Sequence, residues 1–366
     1  MYELTRRVLI INFNGIGNGI WILPMLKCLE EVAPNCKYFH IHNPVFDSKE
    51  FMDWMGLKNR LGTAPTSWRR FEPSDWKQIK LFFERHSIDL VINLRNEGPL
   101  RDVGYDRFRT EMGHSGVEFW QLDQMIIASR HPQRHLLADQ LELLGSHGID
   151  LLSFNRLWLR DYFSGQRARL TRQKTVGFFT GASQDVKTWP AEQWVALGQM
   201  LLDRSECDLT IYSGKLDSEL VLAQTVFEQI LTRFPSRCSM VKEQTLESLC
   251  AHLACLDLIV SNDTSCVHIA AALNVPTIGL YFSTNAAIWG GMNESFISVQ
   301  SQTGLECPSF KRDAGNCNFY YGGCPGPCKD EVTPERVFRA MENHLLMPAC
   351  PSVFASAERT VATGVD

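Results

Sequence analysis

The sequence predicts two α/β domains in tandem with a cleft between them, on three observations. Short apolar runs alternate with amphipathic helical stretches, a charged and weakly periodic segment breaks that rhythm near the middle, and the rhythm then restarts. At 366 residues the chain is too long for one ordinary core and suits two. We expect a first domain over 1–160, a second over 161–346, and a disordered tail over 347–366, rich in Ala, Ser, Thr and Pro.

In the first domain the run 8–13 (VLIINF) reads as a buried strand. It follows two arginines, as a signal peptide would, but the apolar run is short and Gly15, Gly17 and Gly19 come next, so a strand and turn fit better. A helix follows with Ile22, Leu26, Leu29 and Val32 on one face. Residues 38–42 and 89–94 are further strands, and 139–144 belong to a helix ending at Gly145. The segment 158–174 is the linker candidate. Beyond it, 176–180, 209–213, 256–261 and 277–282 read as strands, with helices over 190–202, 265–273 and from Thr333-Pro334 to about 346.

Composition excludes several classes. A formal net charge of -5 offers no basic field for nucleic acid. No stretch approaches the ~18 apolar residues of a membrane span, and a cytoplasmic location is expected. Of the 12 cysteines, Cys28, Cys250 and Cys255 occupy apolar helical positions and read as free thiols, with others like them. Cys307, Cys317, Cys324 and Cys328 cluster in a Gly/Pro-rich stretch with little apolar periodicity. In a reducing compartment that clustering suggests a structural tetrathiolate metal site, zinc or iron, as readily as a reduced loop.

In open parallel sheets, ligands bind at the carboxyl ends of strands, and the chemistry-bearing residues sit there. The turn after strand 8–13 reads Asn14-Gly15-Ile16-Gly17-Asn18-Gly19, where glycine lets the backbone turn sharply and approach a ligand. After strand 176–180 comes Thr180-Gly181-Ala182-Ser183-Gln184-Asp185-Val186-Lys187, whose small residues, hydroxyl and cation suit a diphosphate. After strand 256–261 comes Ser261-Asn262-Asp263-Thr264-Ser265-Cys266-Val267-His268, with Asp263 as the expected helix cap and the helix N-terminus as an anion site. Each has a plain structural alternative: a tight turn, a solvated lysine and a packed core histidine. His131 and His135 are four apart, but lack a partner acid and read as packing or acceptor-side residues.

Taken together and in this order, the glycine turn, TGASQDVKTWP and SNDTSCVHIAAALNVPTIGLYF resemble the heptosyltransferases of glycosyltransferase family 9, over residues 8 to about 340. The resemblance implies two Rossmann-like domains facing across a cleft, the GT-B type, and an inverting enzyme moving a sugar from a nucleotide sugar, usually ADP-heptose. Glycan, lipid-linked and protein acceptors, peripheral membrane contact and an oligomer are all compatible with it. A lipopolysaccharide core or related glycan is the first acceptor expected; the alternatives are a protein O-heptosyltransferase, a natural-product glycosyltransferase or a non-catalytic nucleotide-sugar-binding protein. By position, Gly17, Ser183, Lys187, Gly214, Asp263, Thr264, Ser265 and His268 match donor-site residues, and Asp217 or Glu219 is expected on the ribose. Ser265 stands where the family often has glycine. Asn18 stands where lipopolysaccharide heptosyltransferases carry an aspartate as general base, and an amide cannot accept that proton. Either another carboxylate is the base or transfer relies on leaving-group stabilisation; the candidate bases are Glu97, then Asp102 and Asp106, in a loop that also holds Arg95, Arg101, Arg107 and Arg109 and reads equally as a solvated surface loop. Related autotransporter enzymes use a four-cysteine iron site, which adds to the metal reading of the cysteine cluster.

Overall fold

The computed structural model describes residues 5–12, 16–42, 49–57, 60–63, 76–94, 103–121, 135–149, 156–164, 173–242, 245–311, 315–317, 324 and 326–346. Its first half runs β1 (Arg7–Asn12), α1 (Ile16–Val32), β2 (Lys37–His42), α2 (Lys49–Met55), β3 (Arg60–Thr63), α3 (Trp76–His86), β4 (Leu90–Asn93), α4 (Val103–His114), β5 (Glu118–Gln121), α5 (Leu136–Ser146) and α6 (Trp158–Tyr162). The second half runs β6 (Thr175–Phe179), α7 (Ala191–Arg204), β7 (Asp208–Tyr212), α8 (Asp217–Leu231), β8 (Cys238–Val241), α9 (Leu246–Ala254), β9 (Leu258–Asn262), α10 (Ser265–Ala272), β10 (Thr277–Tyr281), α11 (Ala286–Trp289), β11 (Phe296–Gln300) and α12 (Gln302–Glu306). It ends with a hairpin of β12 (Phe310–Lys311) and β13 (Asn316–Cys317), then α13 (Pro334–Leu346).

Two parallel sheets result, in the orders β3-β2-β1-β4-β5 and β11-β10-β9-β6-β7-β8. Each strand near the middle is apolar on both faces because helices cover both. Val8 and Ile10 face one core while Leu9 and Ile11 face another. The second sheet repeats this with Leu258 and Val260 against Ile259. The inner faces share one core, which continues from the first sheet through α1 and α10 into the second. The two halves are therefore joined by apolar burial as well as by the chain. Strand order reverses between β1 and β4 and between β6 and β9, and both reversals open toward carboxyl ends.

Several expectations change in detail. Val32 is 51% exposed, so the buried face of α1 is Ile22, Leu26 and Leu29 without it. Helix α5 runs one residue past Gly145. His135 is its N-cap and so lies outside the helix, while His131 lies outside the described residues. Cys250 is buried, but Cys28 and Cys255 are partly exposed. The expected linker begins with α6, whose Trp158 and Leu159 are buried. The cause is Pro24 inside α1. Proline has no N–H to give the carbonyl four residues back, which belongs to Ile20. That carbonyl instead accepts the Trp158 indole N–H at 3.2 Å, and α6 docks there. The tail after residue 346 is outside the described residues.

Candidate active site

The site forms where α1 and α10 pack on each other at the carboxyl edges of the two sheets. On the second-domain side, strand β6 ends at Phe179 and the chain passes from Thr180 through a 3-10 turn, Asp185–Lys187, before α7. Asn262, fully buried at the end of β9, holds this loop from both sides. Its amide donates to the Thr180 carbonyl at 2.7 Å and accepts from the Trp189 N–H at 3.2 Å. Trp189 is itself anchored by its indole N–H on the Val332 carbonyl at 2.9 Å. The sequence reading did not single out Asn262; a buried amide closing an apolar strand was the signal.

This bracing aims Lys187 at Asp263, with Nζ 2.7 Å from Oδ2 and side chains only 12% and 6% exposed. Two charges this dry persist only with good geometry and further hydrogen bonds. The Thr284 hydroxyl supplies one, donating to Asp263 Oδ2 at 2.7 Å. Asp263 is therefore not the cap expected from the sequence. Thr264 takes that place, its hydroxyl accepting from the Cys266 N–H at 3.3 Å, with Ser265 opening the helix. The early N–H groups of a helix lack intrahelical acceptors. An anion entering here meets those groups and a lysine already fixed in position. Ser183 is exposed on the loop just before.

His268 lies one turn inside α10 and is 6% exposed. Its ring touches the first domain. A Cβ on Gly17 would fall 2.3 Å from His268 Cδ2 and 3.2 Å from Nε2, so only glycine fits in this turn of α1. Asn18 follows in the same turn. The Trp21 ring meets His268 edge-on at 4.3 Å, and His268 Nδ1 has no hydrogen-bond partner among the described residues. Burial pushes the imidazole pKa down to about 3, against the opposing pull of Asp263. Nearby, a small cavity of about 20 Å³, enough for one water, is lined by Trp21, Pro24, Arg156, His268 and Met292.

Next to the loop, Glu219 lies between two strand ends. A Cβ at Gly181 would meet its side chain at 2.9 Å, and one at Gly214 would meet Oε2 at 1.9 Å. The carboxylate accepts from the Leu216 N–H at 3.1 Å at the start of α8. Burial raises its pKa despite that bond. Asp217 is exposed.

Other expected residues are not brought together here. Glu97, Asp102, Arg95 and Arg101 lie outside the described residues, as does the side chain of Asp106. Arg107 pairs with Glu111 on its own helix at 2.7 Å. Arg109 is on the same helix and exposed. All four clustered cysteines are described, yet no group of three or more Cys, His, Asp or Glu among the described residues is gathered to hold a metal ion. Backbone bonds order the described part of this stretch. Cys317 N–H donates to the Ser283 carbonyl at 2.8 Å, Asn285 N–H to Gly315 at 2.9 Å, and Asn316 bridges to Thr284. Cys307 closes α12, and Cys328 packs partly into the second core with its thiol pKa pushed up to about 11 by burial. The Cys324 and Cys317 sulfurs lie near enough to Cys328 to add to that rise.

Comparison with known proteins agrees with this architecture. The profile of Glycosyltransferase family 9 (heptosyltransferase) matches residues 133–316, just over half of the 366-residue chain. Lipopolysaccharide heptosyltransferase 1 of Escherichia coli strain K12 is 23% identical over 82% of this chain and 98% of its own. A family 9 glycosyltransferase from Veillonella parvula superposes with a TM-score of 0.65 at 18% identity, covering 94% of this chain and 99% of that one. The E. coli heptosyltransferase WaaC, solved with ADP, superposes with a TM-score of 0.61 at 19% identity, covering 92% and 99%. The two-sheet frame, its paired carboxyl edges and the profile match lead to one conclusion: the chain is a GT-B glycosyltransferase that belongs to glycosyltransferase family 9, the heptosyltransferase family.

Proposed function

We propose that the protein transfers heptose from ADP-heptose, with inversion, to a hydroxyl of a lipopolysaccharide core glycan, acting in the cytoplasm. Support for the sugar and acceptor comes from the curated relatives, which are lipopolysaccharide heptosyltransferases, and for the nucleotide from the WaaC structure solved with ADP. No helix among the described residues is long and apolar enough to cross a membrane. We keep the domain boundary near residue 160, where α6 bonds to α1 of the first domain and also packs on α10 of the second.

The observation that carries the donor reading is the Lys187–Asp263 pair at the start of α10. Lys187 and the first-turn N–H groups of α10, at Thr264 and Ser265, would take the diphosphate, with Ser183 contributing its hydroxyl. Glu219, seated on Gly181 and Gly214, would take the ribose hydroxyls. During transfer, the acceptor oxygen attacks the anomeric carbon, the bond to the diphosphate breaks, and charge grows on the departing ADP. Preorganised cations and N–H groups stabilise that charge without reorganising. Asn18, in the turn abutting His268, would orient the acceptor hydroxyl. Glu97 is our choice for the carboxylate that takes its proton.

Lys187→Ala tests the donor site. A charge-assisted contact is worth about 1.5–3 kcal/mol, so ADP affinity should fall roughly 10- to 150-fold, and turnover should fall with it. Unchanged ADP affinity by calorimetry, together with unchanged turnover, would remove the diphosphate from this pair.

A further inference from the structure

His135 carries a contact that the donor and acceptor assignments do not use. It is the N-cap of α5, and its Nδ1 accepts the Leu137 N–H at 3.2 Å. Histidine is an unusual choice for a cap, where Asn, Asp, Ser and Thr are preferred. The second ring nitrogen shows what the ring adds. Nε2 lies 3.3 Å from the carbonyl of Gly290, at the end of α11 in the second domain. A carbonyl only accepts, so Nε2 carries the proton and Nδ1 is bare. Both contacts require this one neutral tautomer. A capping Asn or Ser would satisfy Leu137 but would stop short of Gly290.

The same ring meets Trp21 edge-on, with centroids 4.8 Å apart and planes at 81°. Trp21 also meets His268, at 4.3 Å and 80°. His268 in turn abuts Gly17 so closely that no Cβ fits between them. A chain of contacts thus runs from Gly290, through three rings, to the turn holding Gly17 and Asn18 opposite the Lys187–Asp263 pair.

We propose that His135 is a positioning residue for sugar transfer: by bridging α5 to Gly290 and bracing Trp21 against His268, it sets the acceptor-side turn of α1 against the donor helix α10. The inference rests on the donor reading given above. Donor and acceptor come from different domains, so their relative placement sets the reacting distance. A misplacement of about 1 Å costs on the order of 100-fold in rate. Binding of ADP, held by the second domain, does not need that alignment.

The test uses the full chain and His135→Asn, which keeps a capping oxygen for Leu137 but loses the ring and its reach to Gly290. ADP affinity by calorimetry should stay within about twofold of wild type, while kcat for transfer falls about tenfold or more. Nitrogen-15 histidine spectra of the wild-type chain should show a neutral Nε2–H ring that disappears in the variant. Trp21→Phe, which shortens the middle ring and leaves the cap intact, should show the same split and supplies the answer where His135→Asn does not fold. Wild-type kcat in both variants, an Nδ1–H tautomer, or a loss of ADP affinity equal to the loss of turnover overturns the proposal. Failure of the wild-type chain to bind ADP overturns the donor reading, and this proposal with it.

Discussion

Gly17→Ala is the perturbation that reports most directly on the domain junction. In an open helix position the change stabilises by roughly 0.5–1 kcal/mol, because alanine loses less backbone freedom on folding. Here the added Cβ would lie 2.3 Å from His268 Cδ2, where carbon pairs prefer about 3.5–4.0 Å. Trp21 stands against the ring at 4.3 Å and limits how far it can yield. Overpacking of this kind costs about 1–3 kcal/mol. The net expectation is a loss of about 1–2 kcal/mol, with turnover falling further because α1 must back away from α10. Urea denaturation of four proteins decides the matter: wild type, Gly17→Ala, His268→Ala and the double variant. Removing the imidazole makes room, so Gly17→Ala should become neutral or stabilising in the His268→Ala background. The coupling should reach about 2 kcal/mol. Equal effects of Gly17→Ala in both backgrounds would refute the contact and the junction built on it.

Asn262→Ala should cost about 2–4 kcal/mol, since it strands the buried Thr180 carbonyl and Trp189 N–H, and should weaken ADP binding by freeing the Lys187 loop; thermal melts and calorimetry check both. Burial pushes His135 down to about 4, outweighing the Gly290 carbonyl that favours its charged form, and His268 down to about 3. Below the ordinary histidine value of about 6.5 the unfolded chain therefore binds more protons than the folded one, and stability is lost as pH falls toward 4 and is level above 7. Each ring should contribute about 2 kcal/mol of loss between pH 7 and pH 5, and His135→Asn should remove one ring's share from the difference in urea midpoints. Glu97→Gln should abolish most turnover while leaving ADP affinity unchanged; full activity of that variant across pH would exclude Glu97 as base.

Much of the second domain was legible because its central strands are uninterrupted apolar runs. Residues 176–180, 256–261 and 277–282 became β6, β9 and β10 within a residue or two. Edge strands escaped, as β5 shows: Glu118–Gln121 is four residues long with polar ends and only Trp120 fully buried. Where local chemistry misled, the deciding partner lay far along the chain. Asp263 looked like a cap because aspartate is a favoured capping residue, but Lys187 and Thr284 claim its carboxylate, leaving the cap to Thr264. Trp158 looked like linker because its buried position depends on a carbonyl that Pro24 frees in α1. The cysteine cluster reads as a metal site or a reduced loop from spacing alone; among the described residues no metal-holding group is gathered there, and hydrogen bonds to residues 283–285 help to order the loop. The glycine turn was read as a place of close approach, and Gly17 does require it, though what approaches it in this structure is His268.

We place the nucleoside diphosphate sugar at the N-terminus of α10, on the Lys187–Asp263 pair and beside the α1 turn that holds Gly17. A crystal structure of the full chain with ADP-heptose tests this placement most directly. The diphosphate should lie in hydrogen-bond contact with Lys187 and the N–H groups opening α10, with the ribose on Glu219 and the anomeric carbon facing the turn that holds Asn18. A nucleotide bound elsewhere, with the Lys187–Asp263 pair undisturbed and solvent between α10 and the phosphates, would contradict it.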